Sequence, residues 1–255
     1  MQIGVQTRPW GPERNRTDLN GILAEIAGAG YDGFEIGAQH LDLNDPATFR
    51  RLLAAHGLRV AGLHVGGEID NPRAARAALA NLERTVAFAA EVGATYLPFS
   101  GKMKETGRKA EAELSIQAES LNQVGELARA AGLTLCYHNH FWEIEDDARE
   151  LRHLLAHTDP ALVSLCLDVA WVQRGGGDPV SLAREVFDRV GYFHFKDTTA
   201  DEWMELGRGV VDIAGLAALL RERNYDGWVV VEQDETKGPP VESAKISRAY
   251  LRDIL

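Results

Sequence analysis

The stretch from Leu162 to Asp197, LVSLCLDVAWVQRGGGDPVSLAREVFDRVGYFHFKD, decides the fold. It opens and closes on short apolar runs rich in β-branched and aromatic residues, LVSLCLDV and YFHFKD. Between them DPVSLAREVFDRV carries apolar residues at helical spacing behind an Asp-Pro start signal. Strand, helix, strand in so few residues leaves room only for a crossover, and a crossover makes the two strands parallel.

Outward from this unit the same alternation recurs. Towards the N-terminus lie QIGVQT at Gln2 with the helix pattern LNGILAEIAGAG, and YDGFEIG at Tyr31 with PATFRRLLAAHG. They are followed by LRVAGLHV with an Ala-rich helix from Pro72 to Val92, TYLPFS with a helix from Lys109 to Ala131, and LTLCYHNH with a shorter helix from Ala148 to His157. Towards the C-terminus DIAGLAALLRERN follows YFHFKD, and GWVVVEQD is closed by a helix starting near Val241. Eight βα units in 255 residues predict an α/β protein, a (β/α)8 TIM barrel, as one domain spanning residues 1–255.

Composition narrows the function. The net charge of -11 disfavours a phosphate backbone as partner, because nucleic-acid binders release counterions from a basic stripe. No apolar run is long enough for a membrane helix and no leader pattern is visible, so the expected location is cytoplasmic. Cys136 and Cys166 each lie inside an apolar strand run and read as buried thiols. A small-molecule substrate is the expectation.

Side chains at the C-terminal ends of barrel strands share one mouth. Polar residues fall there repeatedly: Glu35, His64, then His138, Asn139, His140 and Glu143, then Asp168, then His194 with Lys196 and Asp197, then Glu232 with Asp234. A lone His or Asp at such a place is usually a hydrogen-bonded or helix-capping residue, the reading preferred for Asp197 and Asp234. Four consecutive strands, five to eight, each supplying a carboxylate or imidazole at one rim is a different matter, since burying so many ionisable groups is costly without a cation to pair them. The predicted ligand set is Glu143, Asp168, His194 and Glu232, with Mn²⁺ or Mg²⁺ the best match to its oxygen-rich character and Co²⁺ or Zn²⁺ possible.

The motifs YHNHFWE at Tyr137, LDVAWVQRGGGDP at Leu167, YFHFKD at Tyr192, ELGRGVVD at Glu205 and WVVVEQDE at Trp228 resemble the successive rim motifs of the sugar phosphate isomerase/epimerase family, and DGFEIG near the start matches too. That family belongs to the xylose isomerase-like barrels, which also include inosose dehydratases and endonuclease IV. The resemblance implies a metal held by a Glu, Asp, His and Glu set in strand order, and in epimerase branches the two ligand glutamates serve as acid and base on opposite faces of the sugar, here Glu143 and Glu232. Two departures stand out. Epimerases commonly place the first glutamate at the end of strand five, where this chain has Tyr137 to His140, so His138 or His140 is the alternative ligand. Trp171 occupies the position three after the metal aspartate, often His in epimerases.

The implied function is a divalent-metal-dependent sugar isomerase or epimerase that abstracts a proton next to a carbonyl through a metal-stabilised enediolate. The alternative is a dehydratase or lyase of an inosose or 3-keto sugar. Glu143, Glu232, His138 and His140 are the acid and base candidates, with Lys196 stabilising an oxyanion. Glu35, His64, Trp171, Glu205 and Arg208 are assigned to substrate, and Trp142 and Trp10 to apolar walls or to core. The segment SGKMKETGRKAEAE from Ser100 reads as a lid or a solvated helix start. The expected partner is a small carbohydrate, with neither nucleic acid nor membrane, and barrels of this kind often pair, which makes a homo-oligomer possible. A metal-free scaffold is the rival of another class.

Overall fold

A computed structural model describes all residues 1–255. Eight parallel strands close into a barrel: β1 (Gln2–Gln6), β2 (Gly33–Gly37), β3 (Arg59–Gly66), β4 (Tyr96–Ser100), β5 (Thr134–His138), β6 (Val163–Asp168), β7 (Val190–Phe195) and β10 (Trp228–Val231). Each pairs with its neighbours in sequence, and β10 closes onto β1 through Gln2↔Trp228 to Val5↔Val231. A two-stranded hairpin, β8 (Asp197–Thr198) with β9 (Trp203–Met204), rises beside the mouth after β7. No helix is long and apolar enough to cross a membrane.

The outer layer holds the long helices Pro46–His56, Pro72–Glu91, Glu111–Ala130 and Pro240–Ile254, with shorter ones between. Their starts follow the predicted capping chemistry: Asp45, Asn71 and Asp178 each accept a hydrogen bond from a first-turn amide, with proline at the next position. Two short helices, Pro12–Thr17 and Val169–Arg174, lie in stretches the sequence pattern left as connections. The helix predicted to start at Ala148 is preceded by one further turn from Phe141. Asp146, Asp147 and Ala148, at φ 54°, 57° and 55°, break the helix between the two pieces.

A strand in a closed barrel presents alternate residues to the interior and to the helices. The outward set, including Val5, Phe34, Leu97, Phe99, Leu135, Leu165, Leu167, Phe193, Phe195, Val229 and Val231, joins one large core with the helix faces. The inward set is smaller and mixed. Towards the N-terminal end, Tyr96, Cys136, Cys166, Tyr192, Trp228 and Val230 fill the barrel, with Tyr96 and Tyr192 stacked at 4.5 Å. Both cysteines are free and buried. These aromatics need space from facing strands, and glycine supplies it: a Cβ at Gly33 would stand 2.2 Å from the Arg59 carbonyl oxygen and 2.7 Å from the Trp228 ring. Gly33→Ala is therefore expected to lower unfolding free energy by about 1–3 kcal/mol, read by urea denaturation.

Candidate active site

The same alternation that sends Cys136, Cys166, Tyr192 and Val230 inward sends in the residues two further along: His138, Asp168, His194 and Glu232. Register aligns them, with Asp168 opposite His194 and Ser100 opposite His138. All four are buried, and one atom of each lies within 4.8 Å of the others. His138 Nε2 is 3.5 Å from Asp168 Oδ2 and 3.6 Å from Glu232 Oε2. His194 Nδ1 points at Glu232 Oε2. These four atoms have no hydrogen-bond partner although they are buried. Four buried electron-pair donors aimed at one point are a donor set that could hold a metal ion.

What surrounds them fixes their orientation. Glu35, fully buried, accepts from Tyr192 Oη at 2.5 Å through one oxygen, which also meets His194 Nε2 at 2.9 Å. Its other oxygen meets His64 Nδ1 at 2.8 Å, and His64 Nε2 meets Ser100 Oγ at 2.7 Å. Ser100 Oγ lies 3.4 Å from His138 Nδ1. One carboxylate thus turns His194 directly and His138 through two intermediaries, leaving each imidazole's second nitrogen for the centre. Asp168 is braced similarly: Oδ1 accepts from the amides of Ala170 and Trp171, capping the helix Val169–Arg174, while Oδ2 stays free. Asn139 holds the Asp168 backbone from both sides.

Charge gives the same picture. Lys196 Nζ, wholly buried, lies 2.9 Å from Asp234, 3.5 Å from Glu232 and 3.6 Å from Asp168, beneath the rings of Trp203 and Trp171. Burial lowers its pKa, but the three carboxylates outweigh burial and hold it above the ordinary lysine value. Asp168, Glu232 and Asp234 share the ammonium of Lys196, with Arg8 a second cation at Asp234 alone, so Asp168 and Glu232 leave an excess of negative charge at the centre. Burial would raise Glu232, yet Lys196 and His194 keep its carboxyl well below the usual range. Burial likewise works against Glu35, and His194 and His64 overcome it. The neighbouring imidazoles are raised against the pull of burial, His138 through Asp168 and Glu232, and His194 through Cys166, Glu35 and Glu232.

His138 and Glu232 open from this cluster onto a cavity of ≈ 1110 Å³ whose 26 lining residues include only four hydrophobic ones. Its lining includes His64, His140, Trp142, Trp171 and Asp234, together with Arg8, Gln39, His40, Lys102 and Met103. His140 stacks on Trp142 at 4.3 Å, and burial together with nearby His138 lowers its pKa to about 2, so it is neutral.

The model of one family, described as xylose isomerase-like TIM barrel, matches residues 23–254. The chain belongs to that family. Inosose dehydratase of Geobacillus kaustophilus is 27% identical over 264 residues, covering 90% of this chain and 85% of the relative. Among solved structures, a sugar phosphate isomerase/epimerase from Parabacteroides distasonis superposes with a TM-score of 0.82 at 23% identity, covering 98% of this chain and 93% of the other. The 3-keto-D-glucoside 4-epimerase of E. coli does so with 0.81 at 21%, covering 99% of each chain. At these identities the two structures establish a shared barrel and nothing finer.

Against this xylose isomerase-like frame the structure sorts the predicted residues. Asp168, His194 and Glu232 come together, and the fourth corner is His138, one of the two open alternatives, instead of Glu143. The reason is parity. Tyr137 points outward, where Gln117 donates to its hydroxyl, and that hydroxyl donates to Glu143 at 2.7 Å. The other Glu143 oxygen accepts from the His140 amide at 2.7 Å, so Glu143 closes the first turn of its helix on the outer layer. Glu205 bonds Ser243 and Arg208, and neither Glu205 nor Arg208 lines the cavity, which removes both from the substrate set. Trp10 packs in the core and donates to Glu25. Asp197 organises its loop, accepting from the amides of Thr198, Gly207, Gly209 and Val211. Asp234, read as a cap, instead lines the cavity between Lys196 and Arg8. Ser100, Tyr192 and Trp203 were missed. Ser100 and Tyr192 share the inward parity of His138 and His194, which was the available signal.

Burial raises Glu143 to about 7, against 4.5 in the unfolded chain, so folding takes up a proton between those values. Its contribution is present at low pH and lost as pH rises from about 4.5 through about 7. Glu143→Gln should flatten that part of the stability-pH profile, measured by urea melts at pH 5 and pH 8. An unchanged slope would place the proton uptake elsewhere.

Proposed function

We propose that this protein is a divalent-metal-dependent enzyme acting on a keto sugar or cyclitol ketone, and that it eliminates a β-oxygen after removing the proton beside the carbonyl. The observation that carries the metal reading is the set of four orphaned, converging atoms on His138, Asp168, His194 and Glu232. These residues would hold the ion. When bound, the ion would supply Lewis-acid stabilisation of the negative charge that develops on the carbonyl oxygen. Mn²⁺ or Mg²⁺ was the expectation from three carboxylates; His138 at the fourth corner reopens that choice.

The chain's own groups supply the rest. Glu232 is the ligand carboxylate that also lines the cavity, and it takes the proton from the carbon. Lys196, beside Glu232 and Asp168, offsets charge as the electron pair moves towards oxygen. His140, neutral, offers a hydrogen bond to a sugar hydroxyl, and Trp142 and Trp171 give a face for the ring. His64 and Glu35 act through positioning, being committed to Ser100 and the imidazoles.

The position of Glu143 supports elimination over epimerisation. Epimerisation needs a second acid on the opposite face, and Glu143 is bonded away on the outer layer. A proton returned by Glu232 to the same carbon regenerates substrate. With Asp234 held by Lys196 and Arg8, the productive course for Glu232 is delivery of that proton to a departing β-oxygen on the same face: the C–H and C–O bonds break, a C=C bond forms, and water or an alcohol leaves. The name of the Geobacillus relative supports this reading. Same-face transfer to the neighbouring carbon, an isomerisation, is the second reading, because it also needs only one base.

An inosose and a 3-keto-glucoside incubated in D₂O with added metal should form the enone, followed by absorbance and NMR. Deuterium entering carbon with no loss of water would overturn elimination in favour of isomerisation. Glu232→Gln should lower the rate by about 10²–10⁴-fold. Glu35→Gln, which unties the imidazoles, should weaken metal binding by about 10–100-fold in isothermal titration.

A further inference from the structure

We infer that His138 makes this centre selective for a borderline ion, zinc or cobalt class, over the harder manganese and magnesium. The inference rests on the metal-dependent reading above and deepens it. In the set read from sequence, three carboxylates and one imidazole would present three negative charges and oxygen-dominated chemistry. The centre that the barrel assembles has two imidazole nitrogens and two carboxylate oxygens. Exchanging a carboxylate for an imidazole removes one anionic charge and adds a nitrogen donor; imidazole suits zinc, copper, iron and nickel, and carboxylate suits magnesium and manganese.

The placement of His138 indicates a built donor. Its Nε2 is buried, unpartnered, and 3.5 Å and 3.6 Å from the free oxygens of Asp168 and Glu232. Those separations are close to the roughly 3.4 Å between donors arranged tetrahedrally at bonds of about 2.1 Å. Its Nδ1 lies beside Ser100, whose hydroxyl also meets His64, so the ring is tied from behind by the chain of contacts that ends on Glu35. His194 is tied by the same carboxylate. Sharing one anchor makes the two nitrogens a matched pair. The floor is soft as well: Cys166 Sγ lies within 4.8 Å of donor nitrogens of both imidazoles. Of the other carboxylates that line the cavity, Asp234 is engaged by Lys196 and Arg8, and Glu235 stands outside the converging group.

The test uses the full chain stripped with chelator and reloaded. Any nitrogen and oxygen site favours zinc over manganese to some degree, so the decisive quantity is how the preference changes on substitution. Competition titrations should give a Zn²⁺ to Mn²⁺ affinity ratio that falls at least tenfold in His138→Glu. Asp168→Asn, which exchanges an anionic oxygen donor for a neutral amide, should leave the ratio unchanged or raise it. The native chain gives an independent readout that no folding defect can obscure: electron spin echo modulation of the Cu²⁺-loaded protein should report two coordinated imidazoles. One imidazole, or a ratio indifferent to His138→Glu in a variant that melts like the native chain, would overturn the selectivity while leaving a metal site in place. Failure to bind any of these ions would overturn the metal reading and this inference with it.

Discussion

A single buried carboxylate, Glu35, holds the mouth of this barrel in its working arrangement. It stands on β2 and ties two other strands to it, β7 through Tyr192 and His194 and β3 through His64. Removing a carboxylate from water is costly, and hydrogen bonds plus neighbouring imidazoles offset that cost only while all are in register. The consequence is a fixed direction for two rings. Each turns one nitrogen to the network and the other to the centre, and the ring tautomers follow from what the outer nitrogen meets.

The centre would be unstable as a collection of independent residues. Asp168, Glu232 and Asp234 face one ammonium, Lys196, in a space closed above by Trp171 and Trp203. The remaining excess of negative charge is met either by protons on His138 and His194 or by a divalent ion. That competition links ion binding to protonation, and it is why the cluster and its charge are better understood together than residue by residue. The cavity onto which the cluster opens is lined by polar side chains with few apolar ones, a setting for a ligand covered in hydroxyls.

Sequence order put a polar or ionisable residue at the end of nearly every strand, and this was enough to see the rim. Asp168, His194 and Glu232 are readable because each lies within one residue of its strand's end on an inward position, two residues beyond another inward side chain. Glu143 was misplaced because linear proximity to a strand end was taken for proximity to the mouth. The residue falls after the turn into a helix, so strand parity no longer applies to it. It follows Tyr137 to the outer layer, while His138, adjacent in sequence to Tyr137, faces in. Glu205 and Arg208 were drawn in by a motif and lie outside the cavity for a similar reason: their loop is organised by Asp197, whose carboxylate gathers four backbone amides.

The sequence by itself determined the architecture, because eight alternations of period-two and period-3.6 hydrophobicity, punctuated by Asp-Pro and Gly signals, admit few other folds at this length. It also determined that the rim is ionisable and that the surface is acidic. Only the tertiary structure decided which nitrogen or oxygen faces the centre, that His138 takes the corner assigned to a glutamate, and that Ser100 and Tyr192 support the two rings. Those choices depend on strand register and on contacts between residues as far apart as Glu35 and His194, 159 positions along the chain, and no local pattern encodes them.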